Sequence, residues 1–385
     1  MRPQYNHPQR GSMPKNIVVC CDGTGQKFGD RNSNVVKLYR VLDLDDPSRQ
    51  IAYYHGGLGT MGSPAALTVL SCAWTKFLGL AFGYGLTRDI GDAYAYLMDT
   101  YMPGDRVYLF GFSRGAYTVR ALSSLLYMFG LVRPENFNLI PYATELLKKE
   151  AKNRFEVAAQ FKETFSRSCP THFIGVWDTV SSVGWITNQV RLPYTAHNPE
   201  IRHGRHAVSI DERRCFFRTN LWSQPAADQD IKQVWFAGVH SDVGGGYAEK
   251  ESGLSKLAFE WMLREAAAQQ LQVKDARVQE VLGRAGGDWS QPDPTAKLHD
   301  SLFEDGWWLL EPLPHKFTDM SVKPPQSRWR IPLGRRRRMP AGSLVHASAF
   351  QRRQQDPSYK PSNLVADARE EPWTPWPPAA GVAHA

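Results

Sequence analysis

The pentapeptide GFSRG at residues 111–115 constrains this chain more than any other feature. It follows the apolar run RVYLF directly and precedes a segment whose apolar residues recur at helical spacing. Glycines on both sides of a serine permit a tight strand-to-helix turn that lifts the Ser113 hydroxyl above the sheet edge. The N–H of Arg114 then lies at the helix start, which favours an anion. The pattern predicts a nucleophile elbow, with Ser113 as nucleophile and Arg114 in the oxyanion hole; the alternative is a chance glycine-rich turn.

Short apolar runs alternate with helix-spaced segments through most of the chain. This alternation is typical of an α/β fold with a mostly parallel sheet flanked by helices. Ser33 or Asn34 is a suitable N-cap for the first helix. The predicted strands are residues 16–21, 51–54, 106–110, 171–177 and 234–238, and the predicted helices are residues 35–44, 89–101, 117–130 and 254–271.

A serine nucleophile needs a base, and the base needs an acid to hold its tautomer. In α/β-hydrolases the acid and then the histidine follow the serine, each after a later strand. Asp178 follows the run FIGVW and His240 follows VWFAGV. We therefore predict an α/β-hydrolase-like fold with the triad Ser113, Asp178 and His240. The alternatives are a turn or capping role for Asp178 and a structural role for His240.

Four further residues compete with the triad or support it. His299 and His346 are alternative bases, but they lie later, in a less regular part of the chain. Asp242 is a rival acid, yet at two residues from His240 it better suits an organiser of the loop. Asp22 ends the first strand, and while ionised it cannot donate a hydrogen bond, so we expect it to orient its loop.

The turn that follows the first strand lies at the sheet edge where open α/β sheets bind ligands. The Gly23 N–H is a second candidate oxyanion donor there, and Thr24 is expected to support the loop. The glycines of residues 56–59 match neither a P-loop nor a dinucleotide fingerprint, so we expect no nucleotide. Five scattered cysteines without a CxxC pair indicate neither zinc nor a disulfide framework. We expect no metal and no cofactor.

The C-terminal part differs from the rest in composition. Fourteen of the 26 prolines lie in the last hundred residues, and six of the eight net positive charges lie in the last 67. A basic tail does not indicate nucleic-acid binding by a folded face. Residues 335–338 are four arginines which, with the flanking residues Arg328, Trp329 and Arg330, suggest peripheral contact with an anionic membrane. The alternative is a solvated or partner-binding loop.

These trends give a division of the chain and an expected location. We predict a flexible N-terminus (1–13), a catalytic domain (14–285), an irregular extension packed on it (286–350) and a flexible proline-rich tail (351–385). The apolar segment 65–82 contains a central Lys76, which favours a buried or cleft-lining helix over a membrane span. The polar N-terminus lacks an apolar core, so we expect no Sec signal peptide. We therefore expect a cytoplasmic protein, or one exported by a signal-independent secretion system.

Several motifs together resemble one known family. The segments CDGTG, YYHGGLGT, PGDRVYLFGFSRGAYTVRAL, FIGVWDTV and VWFAGVHSDVGGGY occur here in that order. They resemble an uncharacterised-hydrolase family that includes the catalytic domain of type VI secretion phospholipase effectors. The resemblance covers roughly residues 14–270 and implies lipid-ester hydrolysis. The serine, aspartate and histidine of the family match Ser113, Asp178 and His240.

From these observations we expect a serine esterase or lipase that acts on lipids, with phospholipids favoured, through an acyl-enzyme. Delivery by a secretion system is a further implication of the resemblance. A thioesterase or small-ester esterase is the first alternative. A non-catalytic binding module that has kept the fold is the second.

Overall fold

The computed structural model describes residues 14–23, 29–57, 72–149, 153–180, 184–185, 188–189, 192–304, 307–319 and 326–377. Within these ranges, eight strands form one sheet in which every neighbouring pair is parallel. In their order across the sheet the strands are β14 (Arg369–Glu371), β13 (Leu344–His346), β10 (Asp230–Phe236), β9 (His203–Ser209), β6 (Thr171–Trp177), β3 (Arg106–Phe112), β1 (Asn16–Cys21) and β2 (Gln50–His55).

Helices cover both faces of this sheet, and short antiparallel pairs lie outside it. The α-helices are α1 (Asn34–Val41), α2 (Cys72–Thr100), α3 (Arg114–Phe129), α4 (Ile140–Lys148), α5 (Arg154–Phe165), α6 (His240–Gly244), α7 (Gly253–Ala268), α8 (Asp275–Val281), α9 (Ser301–Glu304) and α10 (Ala347–Gln355). Short 3-10 helices span Pro134–Leu139, Glu249–Glu251 and Trp307–Leu310. The paired short strands are β4 (Leu131–Val132) with β5 (Ser166–Arg167), β7 (Gly184–Trp185) with β8 (Asn188–Gln189), and β11 (His315–Asp319) with β12 (Gln326–Arg330).

The continuous apolar runs are explained by burial on both faces of the sheet. In β1, Ile17 and Val19 pack into a core formed with α2, α3, α4 and α5. Val18 and Cys20 of the same strand pack into a second core with α1, α7 and α8. A strand covered on both sides needs apolar residues at every position, which is typical of parallel sheets. The predicted α/β fold, a mostly parallel sheet flanked by helices, is confirmed.

The predicted elements are present, with different ends. All five predicted strands occur, and Ser33 caps α1 by accepting a hydrogen bond from the N–H of Val36 at 3.2 Å. The helix predicted at residues 89–101 is the C-terminal part of the 29-residue α2. Of the apolar segment 65–82, residues 65–71 lie outside the described residues and the rest belong to α2. Among the helices that are described, none has the length and hydropathy to cross a membrane.

Strand β9 was not among the predicted strands. Its centre carries Arg205 and His206, which interrupt the apolar pattern by which buried strands are recognised. Both are buried. The Arg205 guanidinium donates to Glu265 Oε2 and Asp230 Oδ2 at 2.5 Å each. A paired charge can occupy a buried position that an unpaired one cannot, and the composition of a strand does not reveal the pairing.

The C-terminal prediction was wrong in one respect. Residues predicted as an irregular extension and a flexible tail contribute β13, α10 and β14, and these extend the main sheet beyond β10. The Glu371 carboxylate accepts hydrogen bonds from Trp261 Nε1 at 3.1 Å and Lys232 Nζ at 3.3 Å. Three-residue strands are too short to show a pattern, so no local signal marks them. The segments 1–13 and 378–385 lie outside the described residues.

The order in which the strands are connected indicates where along the sheet a ligand site is expected. From β1 the chain moves to β2 on one side, and later to β3 on the other. Parallel sheets bind ligands at the carboxyl ends of strands near such a switch point. Gly23 follows β1 at this place and Ser113 follows β3. A Cβ built on Gly23 would lie 3.3 Å from the Ser113 Cβ, so the two turns are in contact.

Candidate active site

Ser113 occupies a sharp turn between β3 and α3. Its φ of 58° and ψ of −119° lie outside the regions that side chains with a Cβ prefer. Glycines make the turn possible, because a Cβ on Gly111 would lie 2.5 Å from the Gly115 carbonyl oxygen and one on Gly115 would lie 2.1 Å from that of Cys21. The turn is held by the Ser113 N–H, which donates to the Trp177 carbonyl at 3.1 Å. This is the local geometry that the predicted nucleophile elbow requires.

The two predicted oxyanion donors differ in their surroundings. Arg114 is the first residue of α3, where N–H groups point toward the helix N-terminus. Burial lowers the pKa of its guanidinium to about 10 and the carboxylate of Asp89 opposes this, so the side chain interacts within the fold. The Gly23 N–H already donates to Asp22 Oδ1 at 2.7 Å. The structure thus contradicts the role predicted for Gly23, because this N–H is held by a carboxylate.

Asp178 follows β6 and is completely buried. Its φ of 40° is unusual for a residue with a side chain. Asp178 Oδ1 accepts hydrogen bonds from the Ser209 N–H at 2.9 Å and the Ser209 hydroxyl at 3.0 Å. Behind it, the Thr179 N–H donates to His206 Nε2 at 3.1 Å. Backbone and carboxylate of this aspartate are therefore fixed by the neighbouring strand β9.

His240 begins α6, four residues after β10, and its Nδ1 lies 2.5 Å from Asp178 Oδ2. An ionised carboxylate only accepts, so Nδ1 carries the hydrogen and Nε2 is the nitrogen available to accept a proton. The imidazole contacts Phe112, which precedes Ser113, with ring centroids 4.6 Å apart, and Phe217 at 4.7 Å. Its main-chain N–H donates to Glu212 Oε2 at 3.1 Å. The structure thus brings Asp178 and His240 together beside the elbow.

Arg337 is a site residue that the sequence analysis missed. Its Nη1 and Nη2 donate to the two carboxylate oxygens of Asp178 at 2.5 and 3.0 Å. Nη1 also donates to the Ser209 hydroxyl at 2.6 Å, and Nε to the Phe217 carbonyl at 2.9 Å. Only 7% of the side chain is exposed. The prediction of four arginines at a membrane surface is therefore wrong for Arg337.

These contacts set the charges of the pair. Burial alone would raise the pKa of Asp178, but Arg337 and the hydrogen bond from His240 hold it well below the ordinary range. Burial lowers the pKa of His240, and the Asp178 carboxylate opposes that shift only in part. Near neutral pH the pair consists of a carboxylate and a neutral imidazole. This is the state in which a histidine can act as a general base.

The supporting residues fall into separate hydrogen-bond groups. Asp22 accepts from the Ser33 hydroxyl at 2.6 Å and the Tyr54 hydroxyl at 2.8 Å, which fits its predicted role in the first loop. Asp242 pairs with His299 rather than His240, with Oδ1 2.7 Å from His299 Nδ1, and so organises the loop after β10. Thr24 lies outside the described residues.

The alternative bases are both engaged elsewhere. His299 is stacked on Tyr247, with ring centroids 3.6 Å apart, and lies within 3.2 Å of a Glu251 oxygen. His346 ends β13, stacks on Phe236 and caps α10 through Ser348. Neither forms the pair with Asp178 that His240 forms. In the part of the chain that the structure describes, no group of three His, Cys, Asp or Glu side chains is arranged to hold a metal.

The comparisons with known proteins concern mainly the first two thirds of the chain. Residues 15–265 match the family model described as the type VI secretion system phospholipase effector Tle1-like catalytic domain. An uncharacterized protein of Saccharomyces cerevisiae, YEL023C, is 36% identical over an alignment of 228 residues that covers 55% of this chain and 33% of that protein. The chain thus spans about a third of the curated relative that it matches.

Two solved structures are more distant. An uncharacterized protein from Pseudomonas aeruginosa is 18% identical with a TM-score of 0.37, covering 70% of this chain and 48% of that one. The Tle1 effector bound to the VgrG spike of the type VI secretion system is 21% identical with a TM-score of 0.34, covering 63% and 53%. The matched range 15–265 contains Ser113, Asp178 and His240, whereas Arg337 lies beyond it.

Proposed function

The chain belongs to the family of type VI secretion system Tle1-like phospholipase effector catalytic domains, and on that premise we propose that it is a serine hydrolase of lipid carboxylic esters, with phospholipids as the substrate class. The observation that supports this most directly is the 2.5 Å contact between Asp178 and His240 beside the strained Ser113 turn. Each of the three residues follows the carboxyl end of a strand of one parallel sheet.

The proposed mechanism assigns one task to each residue. His240 Nε2 takes the proton of the Ser113 hydroxyl as its oxygen attacks the ester carbonyl. Asp178 keeps the Nδ1 hydrogen in place and stabilises the imidazolium that forms. The Arg114 N–H, at the start of α3, stabilises the oxyanion. His240 then returns the proton to the departing alcohol, and water releases the acyl group from Ser113 by the same steps in reverse.

Labelling and product analysis together test this proposal. A fluorophosphonate probe should label the wild-type protein and fail to label Ser113→Ala. Mass spectrometry of a mixed-phospholipid vesicle digest should then show free fatty acid and lysolipid. Labelling with hydrolysis only of thioesters or short soluble esters would favour the first alternative. Absence of labelling in folded protein would leave the non-catalytic binding module.

We propose in addition that one exposed surface contacts an anionic lipid surface. Trp329 and Leu333 are 59% and 62% exposed. Arg335 and Arg338, also exposed, border an open cavity of about 590 Å³ that residues 333–339 help to line. Exposed apolar side chains in the same segment as guanidinium groups suit the boundary between head groups and acyl chains. We define the interfacial face as Trp308, Leu309, Leu313, Trp329, Ile331, Leu333, Arg335 and Arg338.

Hydrogen bonds and aromatic contacts join this face to the proposed site. The N–H groups of Leu333 and Gly334 donate to the carbonyl and carboxylate of Glu311 at 3.4 and 2.8 Å, which holds the two parts of the face together. The Trp307 ring lies edge-on to Phe217 at 5.4 Å, and Phe217 contacts His240. Trp307, which precedes Trp308 of the face, and Phe217 thus link the face to the proposed base.

The membrane proposal has a test that leaves Arg337 intact. The double change Arg335→Gln and Arg338→Gln should weaken binding to anionic vesicles about thirty-fold, since each basic residue contributes roughly 1 kcal/mol. Hydrolysis of a soluble short-chain ester should not change. Arg353→Gln, an exposed arginine on α10, is the control. Unchanged vesicle binding by the double variant would refute the proposal.

The location of the protein is part of the same proposal. Family membership supports delivery by a type VI secretion system from the cytoplasm of the producing cell. Fractionation of cells with and without an active secretion machinery tests this. Protein found only in the cytoplasm of both would exclude export under those conditions.

A further inference from the structure

The acid of the proposed triad has two charged partners, and one of them comes from a distant part of the chain. Asp178 Oδ2 lies 2.5 Å from His240 Nδ1, and the Arg337 guanidinium donates hydrogen bonds to both oxygens of the same carboxylate. We propose that Arg337 is a positioning residue that keeps Asp178 ionised and oriented toward His240. The inference rests on the proposed hydrolase function and adds to it a residue outside the range matched by the family model.

The path of the main chain brings this guanidinium to the carboxylate. The Asn363 side-chain amide donates to the carbonyl oxygens of Arg337 and Ile210 at 3.0 and 2.9 Å. Asn363 thus connects the main chain at Arg337 with Ile210, the first residue after β9. Three residues earlier, the Gly334 carbonyl accepts from Arg213 Nε at 2.8 Å. Arg337 is therefore anchored at its own carbonyl and three residues before it, and it does not belong to a loosely attached tail.

The bidentate geometry does what a single charge could not. Two guanidinium nitrogens on two carboxylate oxygens fix the plane of the carboxylate as well as its charge. The Ser209 N–H and hydroxyl hold Oδ1 from β9, which leaves Oδ2 to face His240. Rotation of Asp178 would break several hydrogen bonds at once. The direction of the imidazole thus depends on contacts that Arg337 makes.

The charge of Arg337 also sets how the pair holds protons. The titratable and charged groups that surround the Asp178–His240 pair are His206 from β9, near Asp178, and Glu212 and Arg214, near His240. The Glu212 carboxylate is itself held by Arg214 at 2.7 Å. Arg337 is the cation in direct contact with Asp178. Without Arg337, the pair of buried carboxylate and imidazole would lose its additional proton only at a higher pH. This holds whichever of the two groups carries that proton.

The pH profile of kcat/KM on a soluble ester tests this role, because its acidic limb reports protonation of the pair in the free enzyme. Arg337→Gln should move that limb upward by about one pH unit or more, so the loss should be much larger at pH 6 than at pH 8.5. Arg337→Lys, which keeps the charge but not the fork, should move it less. Arg353→Gln, an exposed arginine on α10 outside the interfacial face, should match the wild-type profile.

Chemical rescue separates positioning from mere support of the fold. Arg337→Ala removes the guanidinium, and free guanidinium at concentrations far below those that denature should restore part of its rate at acidic pH. The same ion should not raise the rate of the wild type or of Arg353→Gln. If Arg337→Ala or Arg337→Gln does not fold, the test rests on Arg337→Lys, for which we still expect an upward shift of the acidic limb relative to the wild type.

Failure of this inference can be told from failure of the proposed function. If the wild type hydrolyses esters and the folded Arg337 variants keep its pH profile, the inference is wrong and the function stands. If the wild type hydrolyses nothing, NMR titration of the His240 imidazole, assigned by comparison with His240→Gln, still measures the coupling. An imidazole that titrates at the same pH in wild type and Arg337→Gln would overturn the inference, and an upward shift would support it.

Discussion

Replacing Gly115 by alanine tests the physical basis of the Ser113 turn. Gly115 is the second residue of α3, where helix propensity alone would favour alanine by about 1 kcal/mol. A Cβ there, however, would lie 2.1 Å from the Cys21 carbonyl oxygen, 2.5 Å from its carbon and 2.6 Å from the Asp22 carbonyl oxygen. All three belong to the main chain at the end of β1. The close approach of α3 to β1 therefore depends on the absence of a side chain at this position.

The size of the effect follows from these distances. Cβ contacts shorter than 3.0 Å are essentially absent from proteins, so the contact with Cys21 must open by about 0.9 Å. Main-chain atoms of a strand that is paired on both sides, as β1 is with β3 and β2, cannot turn away as a side chain can. Overpacking of this kind costs about 1–3 kcal/mol or more, and we expect the upper end of that range, which exceeds the gain in propensity. Because α3 carries Ser113 at its start, a shift of about 1 Å should also reduce kcat/KM about 100-fold.

A second glycine provides the matched control. Gly85 lies within α2, and a Cβ built there meets no atom within 4 Å. Gly85→Ala should therefore stabilise the protein by up to about 1 kcal/mol and leave the rate unchanged. Urea unfolding and hydrolysis of a soluble ester are measured on both variants. If Gly115→Ala proves as stable and as active as Gly85→Ala, the argument that α3 needs a glycine to approach β1 is wrong.

The remaining predictions concern titrating and catalytic groups. Ser113→Ala should lower kcat by about 10⁴ to 10⁶ without a change in the urea midpoint, and retention of more than a few per cent of the rate would contradict the proposed nucleophile. His240→Ala should cost about as much, and Asp178→Asn should be severe but less so, so a reversed order would exclude the proposed roles. His346→Ala should change the soluble-ester rate little, because this residue lies away from Asp178. Burial lowers the pKa of His346 to about 3, below its unfolded value, so unfolding takes up a proton between pH 6.5 and about 3. This residue should therefore reduce the free energy of unfolding by about 1.4 kcal/mol per unit of pH decrease. The free energy of unfolding of His346→Asn should fall less steeply than that of the wild type between pH 6.5 and 5. Equal slopes for the two proteins would refute this.

The sequence was informative where a local pattern fixes the structure. The sharp turn at Ser113 could be predicted because strand, glycine and helix signals occur next to each other, and each constrains the backbone by itself. Asp178 and His240 could be proposed because each follows an apolar run at the edge where parallel strands end. These inferences need no knowledge of which distant residues meet.

Inference from sequence failed where a residue depends on a distant partner. Arg205 looks unsuited to a buried strand until Glu265 and Asp230 are seen beside it. The Gly23 N–H is a plausible donor to a substrate until the rotamer of Asp22 is known. A run of four arginines usually indicates a solvated surface, and nothing local marks Arg337 as the one whose side chain is buried.

The extent of the folded unit follows from these distant contacts. The family match ends at residue 265, yet β13 pairs with β10, and β14 pairs in turn with β13. Without them, β10 would present unpaired main-chain groups along an apolar edge, which natural sheets avoid. Arg337, between that match and β13, supplies the charge that faces the buried Asp178. The C-terminal segment is therefore part of the same structure as the proposed triad, and the division predicted after residue 285 separates residues that hydrogen bonds and an ion pair join.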